Sequence, residues 1–71
     1  MLVKINGKKL KELRGNRSLG NIVEASGKAF SDVALLKWET GATQPREDNL
    51  RKLLKVYGCD LKDIAEPLAL N

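Results

Sequence analysis

The sequence predicts an all-α, compact domain of five short helices, and three observations lead there. Apolar residues recur three and four apart, as on one face of a helix: Leu10 and Leu13; Leu19, Ile22 and Val23; Leu35 and Trp38; Leu50, Leu53, Leu54 and Tyr57. Serines suited to opening helices, Ser18 and Ser31, stand in front of two of these windows. Residues suited to closing them, Gly15 with Asn16 and then Gly58, stand behind two others. The 71 residues fit one small domain, 1–71. A chain of that size buries only about 60% of its unfolded surface, so its core must be compact and helical or be completed by a partner.

Each element follows in order. Leu2-Val3-Lys4-Ile5 reads as a short extended segment closed by the turn signal Asn6-Gly7. Lys8 to Arg14 reads as the first helix, with Leu10 and Leu13 inward and lysines outward. Leu19 to about Ser26 and Asp32 to Glu39 read as the second and third, joined by a tight linker containing Gly27. Trp38 is read as core, because a large residue at that spacing faces inward. Thr40 to Gln44 reads as a loop. Pro45 suits the first turn of the fourth helix, where its missing N–H is no loss. Glu47 and Asp48 then sit at that helix's positive end. Asp60 caps a last short helix, Leu61 to about Ala65, which Pro67 ends. The apolar tail Leu68-Ala69-Leu70 has no evident place in a monomer.

Composition excludes several classes of function. A single cysteine, Cys59, leaves no intramolecular disulfide, and no Cys/His cluster exists for zinc. Histidine is absent, which removes the commonest general base and metal ligand. With no glycine-rich phosphate loop either, the expectation is neither an enzyme nor a protein with a metal or cofactor. No apolar run approaches the roughly 20 residues of a membrane span, and the start of the chain is too short and too soon interrupted for a signal peptide. The expected setting is cytoplasmic and nucleoid-associated. The net charge of +4 is uneven: residues 1–17 carry a local +5, residues 18–57 a local +1 and residues 58–71 a local −2. The basic first third suits an anionic partner such as nucleic acid; charge alone is equally compatible with a solubilising face.

Two capped helices of about two turns, separated by a Gly-containing turn, are what a helix-turn-helix needs to put its second helix into a DNA major groove. Four further segments fit that frame: Gly-Lys-Lys-Leu-Lys-Glu-Leu-Arg (7–14), Trp-Glu-Thr-Gly (38–41), Pro45, and Asn-Leu-Arg-Lys-Leu-Leu-Lys-Val-Tyr-Gly-Cys-Asp-Leu (49–61). In order and spacing they resemble the Cro/repressor-type, or XRE, helix-turn-helix family over residues 7–64. The resemblance implies a buried ion pair between Arg14 and Glu39 that pins the third helix to the scaffold. It places Asn21, at the start of the second helix, on a DNA phosphate, and makes Ala25 the small residue at which the two helices approach. Three positions depart from the family pattern. Glu24 and Lys28 replace apolar residues, and Ala29 replaces the turn glycine, with Gly27 two residues earlier.

If the third helix lies in the major groove, Ser31, Asp32, Val33, Leu36 and Lys37 meet the bases. Lys37 can reach guanine or a phosphate, Asp32 can accept from cytosine N4, and Val33 can pack on a thymine methyl. Ser31 is equally an N-cap, Asp32 repels phosphates unless it meets a base donor, and an exposed Leu36 also suits a dimer or partner contact. Phosphate contacts are expected from Thr43, Gln44 and Arg46 after that helix, with Lys8, Lys9 and Arg17 as further candidates. The leading expectation is a sequence-specific, double-stranded-DNA-binding transcriptional regulator, a repressor acting as a homodimer on a two-fold site. Its dimer contact is either Leu68 to Leu70 or Leu2 to Ile5 as a paired strand. The alternative is a protein-interaction module, for instance an antitoxin with secondary DNA binding. Cys59 is read as packing rather than catalysis.

Overall fold

The computed structural model describes residues 3–67. Its elements are β1 (Val3–Ile5), α1 (Gly7–Arg14), α2 (Leu19–Ala25), α3 (Asp32–Thr40), α4 (Glu47–Tyr57), a one-turn 3₁₀ helix (Leu61–Asp63) and β2 (Ala65–Pro67). Four α-helices and the 3₁₀ turn are the five helices expected, and the all-α class holds. The two strands add a small antiparallel ribbon that pairs Val3 with Pro67, Lys4 with Glu66 and Ile5 with Ala65. Leu2 and Leu68 to Leu70, considered above for dimer contacts, lie outside the described residues.

Side-chain caps set most helix starts. Asn6 Oδ1 accepts from the Lys8 and Lys9 amides at 3.0 and 3.3 Å, so α1 opens at Gly7. Ser18 Oγ accepts from Asn21 N–H, and Ser31 Oγ from Ala34 N–H, each at 3.1 Å. Helix α3 closes at Gly41, whose φ of 81° is the left-handed conformation that glycine adopts without strain. Helix α4 opens later than expected. Arg46 is its N-cap, with an extended ψ of 164°, so Pro45 precedes the helix rather than lying in its first turn.

The last element also corrects the sequence reading. The helix expected from Leu61 to Ala65 stops after Asp63, and residues 65–67 are extended. One turn of helix has almost no cooperativity of its own. The ribbon offers more: Asn6 N–H donates to the Ile64 carbonyl at 2.7 Å, while Ile5 and Ile64 are buried to 3% and 0% exposure. The same pairing occupies β1 within its own chain.

The core is Ile5, Leu10, Ile22, Phe30, Leu35, Trp38, Leu50, Leu53 and Ile64, one cluster fed by every α-helix, by β1 and by the residue after the 3₁₀ turn. Phe30 and Trp38 meet edge to face, with ring centroids 5.0 Å apart at 65°. Among the described residues no helix is long and apolar enough to cross a membrane.

Candidate nucleic-acid interface

Helices α2 and α3 and the turn between them form the unit from which a groove-reading surface is built. The turn takes an unusual course. Gly27 and Lys28 are both left-handed, with φ of 72° and 60°. They close α2 through Gly27 N–H to the Glu24 carbonyl at 3.0 Å and Lys28 N–H to that of Val23 at 2.9 Å. Ser26 locks the turn by donating to the Val23 carbonyl at 2.7 Å and accepting from Ala29 N–H at 3.2 Å. This explains the family departures: the left-handed corner is made one and two residues before Ala29. Glu24 and Lys28 are exposed, their charged ends 3.8 Å apart, and neither is asked to pack. Ala25 is exposed as well and lines an open cleft with Lys52, Lys55 and Val56 of α4. It is therefore not the point at which α2 approaches α3.

A close backbone approach to α3 lies elsewhere. Gly7 sits against the end of α3, where a Cβ would lie 2.7 Å from the Trp38 carbonyl oxygen and nearer still to that of Glu39. A few residues along α1, Arg14 grips the same helix by its side chain. Its Nε donates to Glu39 Oε2 at 2.8 Å and its Nη2 to Oε1 at 2.9 Å, a bidentate pair. The Glu39 side chain is 2% exposed and that of Arg14 17%. Hydrogen bonding to Glu39 raises the Arg14 pKa above its ordinary value, so the guanidinium stays charged. Arg14 Nη1 donates onward to the Arg17 carbonyl at 2.9 Å. Backbone contact and ion pair together fix α3 on α1.

The outer face of α3 is left clear. Ser31, Asp32, Val33, Leu36 and Lys37 are all exposed, with Val33 at 58% and Leu36 at 47%. Asn21 is exposed in the first turn of α2. Thr43 and Arg46 are exposed on the connection from α3 to α4. Lys8 and Lys9 are exposed at the start of α1, next to the Gly7 contact with α3.

Two of the phosphate candidates, both exposed, already have partners within the fold. The Gln44 amide lies along β1, accepting from Ile5 N–H at 2.8 Å and donating to the Ile5 carbonyl at 3.5 Å. It completes the strand edge as a neighbouring strand would. Arg17 folds back on the end of α1, donating from Nε to the Arg14 carbonyl at 3.2 Å and from Nη2 to that of Leu13 at 2.9 Å. Its guanidinium also lies 5.5 Å from the centre of the Tyr57 ring.

Phe30, unremarked in the sequence, precedes the N-cap Ser31 and shares the core with Leu35. That spacing, an apolar residue before the cap and another four after it, is a hydrophobic staple and was its available signal. Tyr57 is a second addition: its hydroxyl is buried without a hydrogen-bond partner among the described residues. Burial, then the Glu39 charge, pushes its pKa up to about 12. Burial and then Asp63 and Asp60 raise the Cys59 thiol pKa, which disfavours the reactive thiolate. Among the described residues, no group of three or more His, Cys, Asp or Glu is placed to hold a metal ion.

Residues 21–64 match a family model described as helix-turn-helix, a span from the first turn of α2 to the residue before β2. Comparison with curated proteins and with solved structures finds no match.

Proposed function

Since the chain belongs to the helix-turn-helix family, of the Cro/repressor or XRE type, we propose that this DNA-binding protein is a sequence-specific transcriptional repressor acting as a homodimer on a palindromic operator. The observation supporting this reading is the outer face of α3. That helix is anchored by Gly7 and by the Arg14–Glu39 pair, yet its opposite side, from Ser31 to Lys37, is free. An anchored helix with a free face can hold one register in a major groove. Asn21, Thr43, Arg46, Lys8 and Lys9 then supply phosphate contacts, which position without specifying. Repression follows from occupancy of a site that polymerase needs. Two copies on a two-fold axis would read half-sites about 34–36 Å apart.

Selection of binding sites from random duplexes tests this reading. A two-fold repeat should be enriched, and log K should fall with log salt by about 0.9 per phosphate neutralised. Lys37→Ala should relax preference at one base position, whereas Arg46→Ala should weaken all sequences alike. A single unrepeated half-site would remove the homodimer from the proposal. No enriched sequence and a flat salt dependence would remove DNA reading by α3 altogether.

A further inference from the structure

Around α3, at about 100° per residue, Leu36, Thr40 and Val33 occupy the middle of the exposed arc, and Asp32 and Lys37 stand at its edges. The polar atoms of this arc are largely engaged by the helix itself. Ser31 Oγ accepts from Ala34 N–H at 3.1 Å, and Asp32 Oδ1 from Val33 N–H at 2.9 Å. Thr40 Oγ1 donates back to the Lys37 carbonyl at 3.2 Å. What α3 offers outward is therefore an apolar pair, Val33 at 58% and Leu36 at 47% exposure, between the carboxylate of Asp32 and the ammonium of Lys37.

From this arrangement we infer that Val33 and Leu36 read the 5-methyl groups of pyrimidines in the major groove, so that the preferred sites are rich in thymine at the positions under α3. The inference rests on the DNA-reading role proposed above. The thymine methyl is the one apolar group that base edges present in that groove. Residues three apart on a helix hold their Cβ atoms about 5–6 Å apart, which spans one to two base-pair steps of about 3.4 Å. Charge favours DNA over an apolar partner: Asp32 and Lys37 offset each other at the two edges of the arc, while exposed Lys8 and Lys9 lie beside the end of α3 and exposed Arg46 follows it along the chain. Because the group read is a methyl on C5, 5-methylcytosine satisfies the same contact and unmethylated cytosine does not.

The test begins with a selected duplex in which each thymine is replaced in turn by deoxyuridine, which lacks only that methyl. At one or two positions per half-site, binding should weaken roughly fourfold per methyl, corresponding to about 0.8 kcal/mol. Methylating a cytosine placed at the same position should tighten binding by a similar factor. Leu36→Ser should lose the thymine-to-deoxyuridine difference at one of those positions, the one under Leu36, while keeping its salt dependence. Val33→Ser, at a position 58% exposed, provides a second variant should the first fold poorly, and should lose the difference at the position under Val33. Equal binding of both duplexes by the unchanged protein, with a selected sequence intact, would overturn the methyl reading and leave sequence-specific binding standing. No selected sequence at all would overturn both. Conversion of a dimer to a monomer by Leu36→Ser, with no thymine-to-deoxyuridine difference in the unchanged protein, would assign the pair to a second copy instead.

Discussion

Replacing Arg14 by methionine leaves the Glu39 carboxylate, 2% exposed, without either of its guanidinium bonds. Removing one partner of a buried pair costs about 3–5 kcal/mol, because the remaining charge has neither water nor a counter-ion. At about 0.05–0.15 kcal/mol per residue, a chain of 71 residues has about 4–11 kcal/mol in all. Arg14→Met should therefore remove a large part of the total and leave a substantial unfolded fraction at 25 °C. The reverse change, Glu39→Leu, is milder. Arg14 is 17% exposed, keeps its bond to the Arg17 carbonyl and can reach water, so about 1–2 kcal/mol is expected. The double replacement Arg14→Met with Glu39→Leu should recover most of the loss, since an apolar pair leaves no stranded charge. Urea unfolding followed by far-ultraviolet circular dichroism gives all four corners of the cycle. Equal costs for the two single variants, or a double variant costing their sum, would refute the pair's role in holding α3.

Three other substitutions probe separate features. Gly7→Ala should destabilise by at least about 1–3 kcal/mol, read as a lower urea midpoint, because the new Cβ meets the Trp38 and Glu39 carbonyls, which are backbone and cannot turn aside. Lys28→Gly should raise the melting temperature. A left-handed L-residue carries about 1–2 kcal/mol of strain, and part of its relief is offset by the added freedom of glycine in the unfolded chain. Tyr57→Phe should be neutral or stabilising by about 1 kcal/mol, since it removes a buried hydroxyl without a partner among the described residues. It should also change the alkaline profile. The Tyr57 pKa is raised from 10.0 to about 12 on folding, so its contribution is complete below pH 10 and lost as pH rises to 12. Urea midpoints of the native chain should fall more steeply across that window than those of the variant; parallel curves would contradict the assignment.

Much of the fold is legible in the sequence where the signals are local. Ser18, Ser31, Gly15 and Gly58 mark helix ends by their own chemistry, and apolar spacing fixes the inward faces of α2, α3 and α4. The Arg14–Glu39 pair came from the family resemblance rather than from periodicity, and the geometry bears it out. What escaped depends on partners far along the chain. Ala65-Glu66-Pro67 has little β character, and only pairing with Val3–Ile5 makes it a strand. Gln44 looks like any exposed amide in a loop until β1 is laid beside it, 39 residues away. Arg17 reads as a free cation because nothing in its neighbourhood announces the Tyr57 ring. Phe30 escapes notice and Pro45 misleads for a smaller reason: each lies just outside a helix, where periodicity no longer applies. On the outer face of α3 the residue types were legible, but the local bonds that occupy Ser31, Asp32 and Thr40 were not.

The ribbon joining Val3 to Pro67 has a consequence for how the chain assembles. Every other described element lies between its two strands, so the pairing closes a loop of about 60 residues, at an entropic cost of about 3–4 kcal/mol. Three residues a side cannot meet that cost alone. The ribbon must wait until the helices have brought both ends of the loop together, and Gln44, standing between α3 and α4, then meets β1 as it arrives. Folding of this unit closes on β1: a strand made before the helices finds its place only after them.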